Sequence, residues 1–129
     1  MCFILVPQKG DDLQVNAWNW RPTLETLYRE NLINLENYER MGANGSGGHV
    51  DAERASLIAD AIQRKLEAIK PGERVLADGS VTDRPKKEVT FKPQMDSQEV
   101  DVNDLYSTSY EWLARFRDFC RRSGGFAVS

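Results

Sequence analysis

The sequence is poor in the residues that build disulfides and metal sites. Its 129 residues include two cysteines, Cys2 and Cys120, and one histidine, His49. Two cysteines are too few for the disulfide framework that stabilises small exported domains. The histidine has no C-x-x-C or H-x-x-x-H motif around it of the kind that binds zinc. We therefore expect a cytoplasmic protein without a bound metal or cofactor.

Long apolar runs and an excess of positive charge are also absent. The longest apolar run near the start, CFILV at residues 2–6, is too short for a membrane span or for the core of a signal peptide. The chain has 17 basic and 20 acidic residues and a net charge of −3. Proteins that bind nucleic acid usually carry a basic patch for the phosphates. We expect neither a membrane nor a nucleic acid among its partners.

The composition that remains is typical of one small globular domain. Hydrophobic residues make up 40% of the chain and charged residues 29%, which is ordinary for a folded domain. The β-branched and aromatic run at residues 2–6 predicts a buried strand. Because side chains alternate across a strand, Phe3 and Leu5 should share one face of it.

Three further stretches suggest strands or a break in regular structure. Residues 13–18 predict a second short strand, and residues 126–128 predict a closing strand. The dipeptide Asp78-Gly79 lies between short apolar runs and predicts a hairpin turn. Residues 83–104 are polar and contain proline, so we expect a mobile segment there.

The first helical region follows the tryptophan pair. Arg21-Pro22 should open a helix, because proline suits the first helical position, where its missing N–H is not needed. Poor helix formers at residues 31–37 predict a break into two shorter helices. Gly42 should then end the second one in the left-handed conformation that glycine adopts readily.

Two more helices are marked by their ends and by their apolar faces. Asp51 should cap a helix over residues 51–69. Thr108 and Glu111 have the spacing of a capping box for the last helix, which should stop at Gly124. The expected apolar stripe of the middle helix consists of Ala55, Ile58, Ile62, Leu66 and Ile69. Strands and helices without strict alternation predict an α+β fold: one domain over residues 1–129, with about three helices on a short, mainly antiparallel sheet.

The glycine-rich stretch MGANGSGGHV at residues 41–50 raises the question of a phosphate site. His49 stands where a P-loop requires lysine. In the dinucleotide pattern G-x-G-x-x-G, Gly45 and Gly47 fit, but Val50 takes the place of the third glycine. Neither phosphate motif is present. Two interpretations stay open: a loop whose glycines allow tight packing, or a loop that contacts a small-molecule ligand.

Cys2 is the basis of an alternative prediction, in which the protein is an enzyme. If Met1 is removed, Cys2 has both a thiol and a free α-amino group that can act as its base. The Met-Cys start resembles class II glutamine amidotransferases, although Phe3 follows where those enzymes usually have glycine. The resemblance implies an N-terminal-cysteine hydrolase or amidotransferase. The other interpretation is a small apolar residue at the start of a buried strand, and Cys120 likewise indicates a core position.

The segment AWNWRP places Trp18 and Trp20 two residues apart, with Arg21 beside them. In an extended segment both rings would lie on the same face. They could seal the rim of the core, or they could anchor a protein partner, since tryptophan and arginine dominate interface hot spots.

We predict a binding surface where the glycine-rich loop, the tryptophan pair and the start of the last helix come together. Residues 43–50 should pack beside residues 18–20 and near residues 106–110, because each lies at an element boundary where recognition loops often occur. The predicted surface comprises Trp18, Trp20, Arg21, Asn44, Gly45, Gly47, Gly48, His49, Ser107 and Tyr110.

The segments NAWNWRPTLE, GANGSGGHVDA and YSTSYEWL…FCRRSGGF are similar to a group of small bacterial proteins of uncharacterised function. The similarity brings no established activity. The chain contains no recognisable set of catalytic residues, so we predict a non-catalytic interaction or regulatory module with a protein partner. In size and acidity it resembles immunity proteins that neutralise toxins. A second copy of the chain is another candidate partner.

Overall fold

The computed structural model describes residues 2–42, 48–76, 80–83 and 107–128. Over these residues the chain forms four helices and two antiparallel sheets, which confirms the α+β fold. The strands are β1 (Cys2–Pro7), β2 (Leu13–Asn16), β3 (His49–Asp51), β4 (Arg74–Val75), β5 (Val81–Thr82), β6 (Thr108–Ser109) and β7 (Gly125–Val128). The helices are α1 (Ala17–Arg29), α2 (Leu35–Gly42), α3 (Ala52–Glu67) and α4 (Tyr110–Ser123). Apart from Asp83, the segment that we predict to be mobile lies outside the described residues.

The larger sheet has the strand order β2-β1-β7-β3, and each neighbouring pair is antiparallel. In β1, Phe3 and Leu5 are buried and Val6 is exposed, which confirms the predicted alternation. Val50 of β3 and Phe126 of β7 are also buried. Helices α1, α3 and α4 contact this sheet, and their buried side chains complete one core with it.

The smaller sheet has the order β5-β4-β6 and joins the end of α3 to the start of α4. Strands β4 and β5 pair antiparallel, with Val75 opposite Val81, as the predicted hairpin requires. Its turn residues, Asp78 and Gly79, lie outside the described residues. On the other side, β4 pairs with β6, and the Tyr110 N–H donates to the Glu73 carbonyl at 2.9 Å.

Two consecutive glycines turn α4 into β7. Gly124 caps α4 with φ 67°, which confirms the predicted helix end, and Gly125 begins the strand with φ 106°. Strand β7 then runs between β1 and β3, with Phe126 opposite Val50. A Cβ atom on Gly125 would lie 2.8 Å from the Val50 carbonyl oxygen. Only glycine therefore allows β3 to lie this close to the start of β7.

Aromatic rings dominate the core between the helices and the larger sheet. The Phe116 ring stacks on Trp112 at 5.5 Å between centroids and meets the edges of Trp20 at 5.8 Å and Phe126 at 6.2 Å. The Trp112 indole N–H donates to the Thr23 hydroxyl at 2.9 Å, which links α4 to α1. The apolar stripe predicted for α3 is buried along its length, and Asp51 caps that helix as predicted.

The start of α1 differs from the prediction. The helix begins at Ala17, so β2 ends at Asn16 rather than Trp18, and Pro22 lies inside the helix. The Asn16 side chain accepts a hydrogen bond from the Asn19 N–H at 2.9 Å and caps the helix. The preference of proline for the first helical position was a weaker signal than this asparagine cap.

The link between α1 and α2 is a compact turn at the predicted break. Asn31 adopts the left-handed conformation with φ 58°. The Asn31 N–H donates to the Tyr28 carbonyl at 3.1 Å, and the Leu32 N–H donates to the Leu27 carbonyl at 2.8 Å, which is a Schellman motif. The Asn34 side chain then caps α2. Two asparagines thus do what glycine and serine do at many helix ends.

Two predicted caps are wrong in detail. Gly42 remains within α2 and does not have a positive φ. Helix α4 is capped by Ser109 rather than Thr108, and the Ser109 hydroxyl accepts from the Trp112 N–H at 3.0 Å. The Glu111 carboxylate accepts instead from the Gly72 N–H at 3.2 Å. At α2 only the conformation of Gly42 differs from the prediction, whereas at α4 the cap moves by one residue.

Candidate functional site

A cleft of about 430 Å³ lies between the α1–α2 turn and strand β3. Its volume is within the range of sites that hold small molecules or short peptide segments. Most of the side chains at its wall are polar: Asn31, Asn34, Asn37, His49, Asp51 and Arg54, together with Tyr28. The helical turn forms one wall of the cleft, and β3 with the first turn of α3 forms the other.

The helical wall presents an aromatic ring and amides. Tyr28 is 40% exposed, and its ring stacks on Tyr38 with 4.7 Å between centroids. Asn31 and Asn34 take part in ending α1 and in capping α2, so the turn that carries them is well defined. An exposed aromatic face beside amide groups can pack against a flat group and can donate and accept hydrogen bonds.

The opposite wall is the outer edge of β3. His49, Val50 and Asp51 all line the cleft, although the Val50 side chain is buried in the core. Consecutive side chains of a strand point to opposite faces. The cleft must therefore run along the edge of the strand rather than over one face, and strand β7 occupies the other edge.

The direction of the β3 backbone groups follows from the pairing with β7. The Val128 N–H donates to the Gly48 carbonyl at 2.9 Å. Bonded and non-bonded pairs alternate along an antiparallel ladder, so Val50 and Phe126 form the next bonded pair. His49 lies between these pairs, and its N–H and C=O point away from β7. Over the described ranges, no hydrogen bond from another element reaches these two groups.

The two charged residues at the cleft, Asp51 and Arg54, differ in the contacts that their side chains make. The Asp51 carboxylate accepts from the Arg54 N–H at 2.7 Å and so caps α3. The Arg54 side chain is exposed and forms no ion pair with any other residue in the part of the chain that the structure describes. A guanidinium at this position can pair with a negatively charged group in the cleft.

The residues of the predicted binding surface do not all lie at the cleft. His49 lines the cleft, whereas Trp18 and Arg21 are exposed on α1 and do not line it. Tyr110 is half-buried in the first turn of α4. Asn44, Gly45 and Gly47 lie outside the described residues, so the predicted packing of residues 43–47 stays a prediction.

Three residues of that predicted surface belong to the interior instead. Trp20 is fully buried, because α1 already begins at Ala17 and places Trp18 and Trp20 on different sides of the helix. Ser107 is buried, and its hydroxyl accepts from the Arg74 guanidinium at 3.1 Å. Gly48 is buried as well.

Met41 and Gly48, the described residues near the two ends of the glycine-rich stretch, lie close together. The Trp20 indole N–H donates to the Met41 carbonyl at 2.9 Å. A Cβ atom on Gly48 would overlap the Met41 side chain. Close approach to Met41 therefore explains the glycine at position 48, in agreement with the packing interpretation at this one position.

Sequence reasoning missed the asparagines and Tyr28. The run ENLINLENY at residues 30–38 contains three asparagines, whose low helix propensity predicts only a break in the helix. Their spacing would have drawn attention, because a turn with several amides can present donors and acceptors on one side. What the spacing could not indicate is that β3 lies opposite.

The structure describes the side chain of Cys120 but not that of Cys2. The side chain of Cys2 lies outside the described residues, although its backbone pairs with Asn16 in the larger sheet. Cys120 is a free, buried cysteine in α4, as predicted. Burial raises the pKa of the Cys120 thiol far above its ordinary value of 9.0.

This shift predicts a loss of stability in alkaline solution. Above the ordinary thiol pKa the unfolded chain releases the Cys120 proton while the folded chain keeps it. The free energy of unfolding should therefore fall with rising pH, by up to about 1.4 kcal/mol per pH unit from this group. Urea unfolding of wild type and Cys120→Ala at about pH 8 and about pH 10 measures it. Equal pH dependence in both proteins would contradict the prediction.

The chain matches no known protein-family model, no curated protein and no solved structure. In the described ranges, no helix is long and apolar enough to cross a membrane. Over the same ranges, no group of three or more histidine, cysteine or acidic side chains is placed to hold a metal ion.

Proposed function

We propose that the protein is a non-catalytic interaction module that binds part of a protein partner in the cleft between the α1–α2 turn and β3. The observation that carries the proposal is the combination, around one cleft, of a strand edge that no other described strand pairs with, an exposed tyrosine and several amides. Tyrosine is enriched at protein interfaces, where its ring packs and its hydroxyl bonds. Amide side chains match the donors and acceptors of a polypeptide backbone.

A cytoplasmic location and an immunity-type role belong to the same proposal. Cys120 is a free thiol, and reducing compartments are where thiols persist. Neutralisation of a toxin requires a surface that binds one partner, and the cleft is our candidate for that surface. A small polar ligand is the second candidate occupant, because the volume of the cleft also suits one.

Site-specific photo-cross-linking in the native host tests the proposal. A photoreactive phenylalanine analogue replaces Tyr28 in one variant and Trp18 in the other. The two positions form a matched pair, since both lie on α1 and the side chains are 40% and 39% exposed. Only Tyr28 lines the cleft. We expect a cross-linked protein from position 28 and none from position 18.

The other outcomes are equally informative. A cross-link only at position 18 would move the interface to the Trp18 side of α1, and the proposed cleft would be wrong. The absence of any cross-linked protein would contradict the interaction module and leave the small ligand as the candidate. A product of twice the 14.7 kDa mass of the chain would identify the partner as a second copy.

A further inference from the structure

The outer edge of β3 carries backbone groups that a further strand could pair with. This strand is the last of the larger sheet among the described residues, and the His49 N–H and C=O point into the cleft. Edge groups of this kind are commonly satisfied by an extended peptide that adds one more strand. Because β3 has three residues, the backbone can contribute few bonds, and side chains near the cleft must contribute the rest of the affinity.

We propose that the partner inserts an extended peptide segment that pairs with β3 as a further strand of the sheet and places an acidic side chain against Arg54. This inference rests on the proposed function and names the form in which the partner binds. The His49 N–H would donate to a peptide carbonyl, and the His49 C=O would accept from a peptide N–H. The cleft, rather than the edge of β2, is the favoured place because a second wall faces β3.

The opposite wall suits the outer side of such a strand. In an added strand, the N–H and C=O of one residue would point toward β3. The N–H and C=O of the next residue would point away from it. Asn31, Asn34 and Asn37 line the wall that those outward groups would face. Each carries an amide that can both donate and accept. Tyr28 offers an aromatic face to a side chain of the peptide.

The positive charge of Arg54 determines which peptide side chain we expect at that end of the cleft. Arg54 is exposed in the first turn of α3, next to the last residue of β3. The Asp51 carboxylate keeps its negative charge, but the Arg54 N–H holds it at the N-terminus of α3, whose positive dipole end offsets part of that charge. A peptide carboxylate can form a charge-assisted pair with the guanidinium, which a neutral or basic side chain cannot. Peptides with aspartate or glutamate near one end are therefore the expected ligands.

The test uses a phage-displayed library of random peptides, selected on the full chain. Enriched peptides are then synthesised, and their dissociation constants are measured for three proteins: wild type, His49→Ala and His49→Pro. His49→Ala removes the side chain and keeps the backbone N–H, whereas His49→Pro removes the N–H that faces the cleft. Proline is tolerated at an edge strand when its missing N–H faces away from the neighbouring strand.

We expect the enriched peptides to bind His49→Ala nearly as well as wild type and to bind His49→Pro about tenfold more weakly, as the loss of one backbone hydrogen bond implies. Failure to enrich any peptide would overturn strand addition. Equal binding to wild type and His49→Pro would overturn it as well. An equal loss in both variants would assign recognition to the imidazole rather than to the backbone, which also overturns the proposal.

Amide hydrogen exchange keeps the test decisive if His49→Pro does not fold. In the wild-type protein a bound peptide should slow exchange of the His49 N–H, which faces the cleft. The Val50 N–H, already paired with β7, serves as the internal reference. An unchanged exchange rate at His49 with saturating peptide would overturn strand addition without any variant.

A matched pair of variants tests the expected preference for acidic peptides. Arg54→Gln should weaken binding of the enriched peptides about tenfold, in the range of a charge-assisted contact, and should abolish the enrichment of acidic residues. Arg64→Gln removes the same charge from another exposed position of α3 and should leave binding unchanged. Equal effects of the two substitutions would contradict a contact with Arg54.

The two proposals fail in different ways. If position 28 cross-links to a partner but no peptide is enriched, the interaction module stands and strand addition does not. If neither experiment detects a protein or peptide ligand, both proposals fail.

Discussion

Replacement of Trp20 by alanine should lower the free energy of unfolding by about 3–5 kcal/mol, which is the usual cost of truncating a buried tryptophan. The side chain is fully buried and contacts Phe3 and Phe116. Its indole N–H also satisfies the carbonyl of Met41. Because small domains are stable by about 5–15 kcal/mol, the variant should be close to the limit of folding at room temperature. Urea unfolding followed by circular dichroism measures the change.

Two controls separate the causes of that loss. Trp18→Ala removes the same ring from a position that is 39% exposed and should cost much less. Trp20→Phe keeps most of the apolar contact but leaves the Met41 carbonyl without its donor, at a cost of about 1–3 kcal/mol. If Trp18→Ala is as destabilising as Trp20→Ala, the assignment of Trp20 to the core and Trp18 to the surface is wrong.

Gly125→Ala should be the second severe substitution. At φ 106° an alanine carries a backbone strain of about 1–3 kcal/mol. Its Cβ atom would also lie 2.8 Å from the Val50 carbonyl oxygen, so β3 must shift at a further cost of about 1–3 kcal/mol. Urea unfolding should show the sum of both effects. Because β3 forms one wall of the cleft, peptide binding should also weaken.

Gly72→Ala isolates the backbone contribution. Gly72 has φ 89°, close to that of Gly125, but no atom lies within 4 Å of a Cβ atom added there. This variant should therefore lose only the conformational part, about 1–3 kcal/mol, and should bind peptides normally. Equal losses in Gly72→Ala and Gly125→Ala would show that the close approach of β7 to β3 contributes little.

The elements that were predicted correctly are those with strong local signals. Helix α3 has an aspartate cap and an apolar stripe at helical spacing, and both were observed. Strand β1 shows alternation, and the end of α4 at Gly124 follows from the conformational freedom of glycine. In each case the residues that determine the structure lie within about one helical turn or a few strand positions of one another.

Predictions failed where two local signals competed. Pro22 favoured a helix start that Asn16 had already established, and the tryptophan pair was therefore assigned to an extended segment. Thr108 has the spacing of a cap, but the adjacent Ser109, which also pairs with β4, is the residue that caps α4. The physical reason is that neighbouring capping signals differ by only about 1 kcal/mol or less, so the sequence alone does not decide between them.

Strand β3 shows why the candidate site was only partly predictable. Its three residues have no alternating pattern long enough to indicate a strand, so His49 was predicted to lie in a loop. The strand exists because β7, more than seventy residues away in sequence, pairs with it. His49 lines the cleft, but its neighbours there come from the α1–α2 turn rather than from the tryptophan pair.

The sequence by itself determined the α+β class, the buried faces of β1 and α3, the break between α1 and α2, and the absence of any phosphate-binding glycine motif. These properties depend on periodicity, caps and turns, which are local. The tertiary structure alone decided that Trp20 is interior, that β3 is the last strand of the larger sheet among the described residues, and that asparagines of the α1–α2 turn face it across a cleft. Those arrangements depend on contacts between segments that are distant in sequence, where burial and strand pairing outweigh local preference.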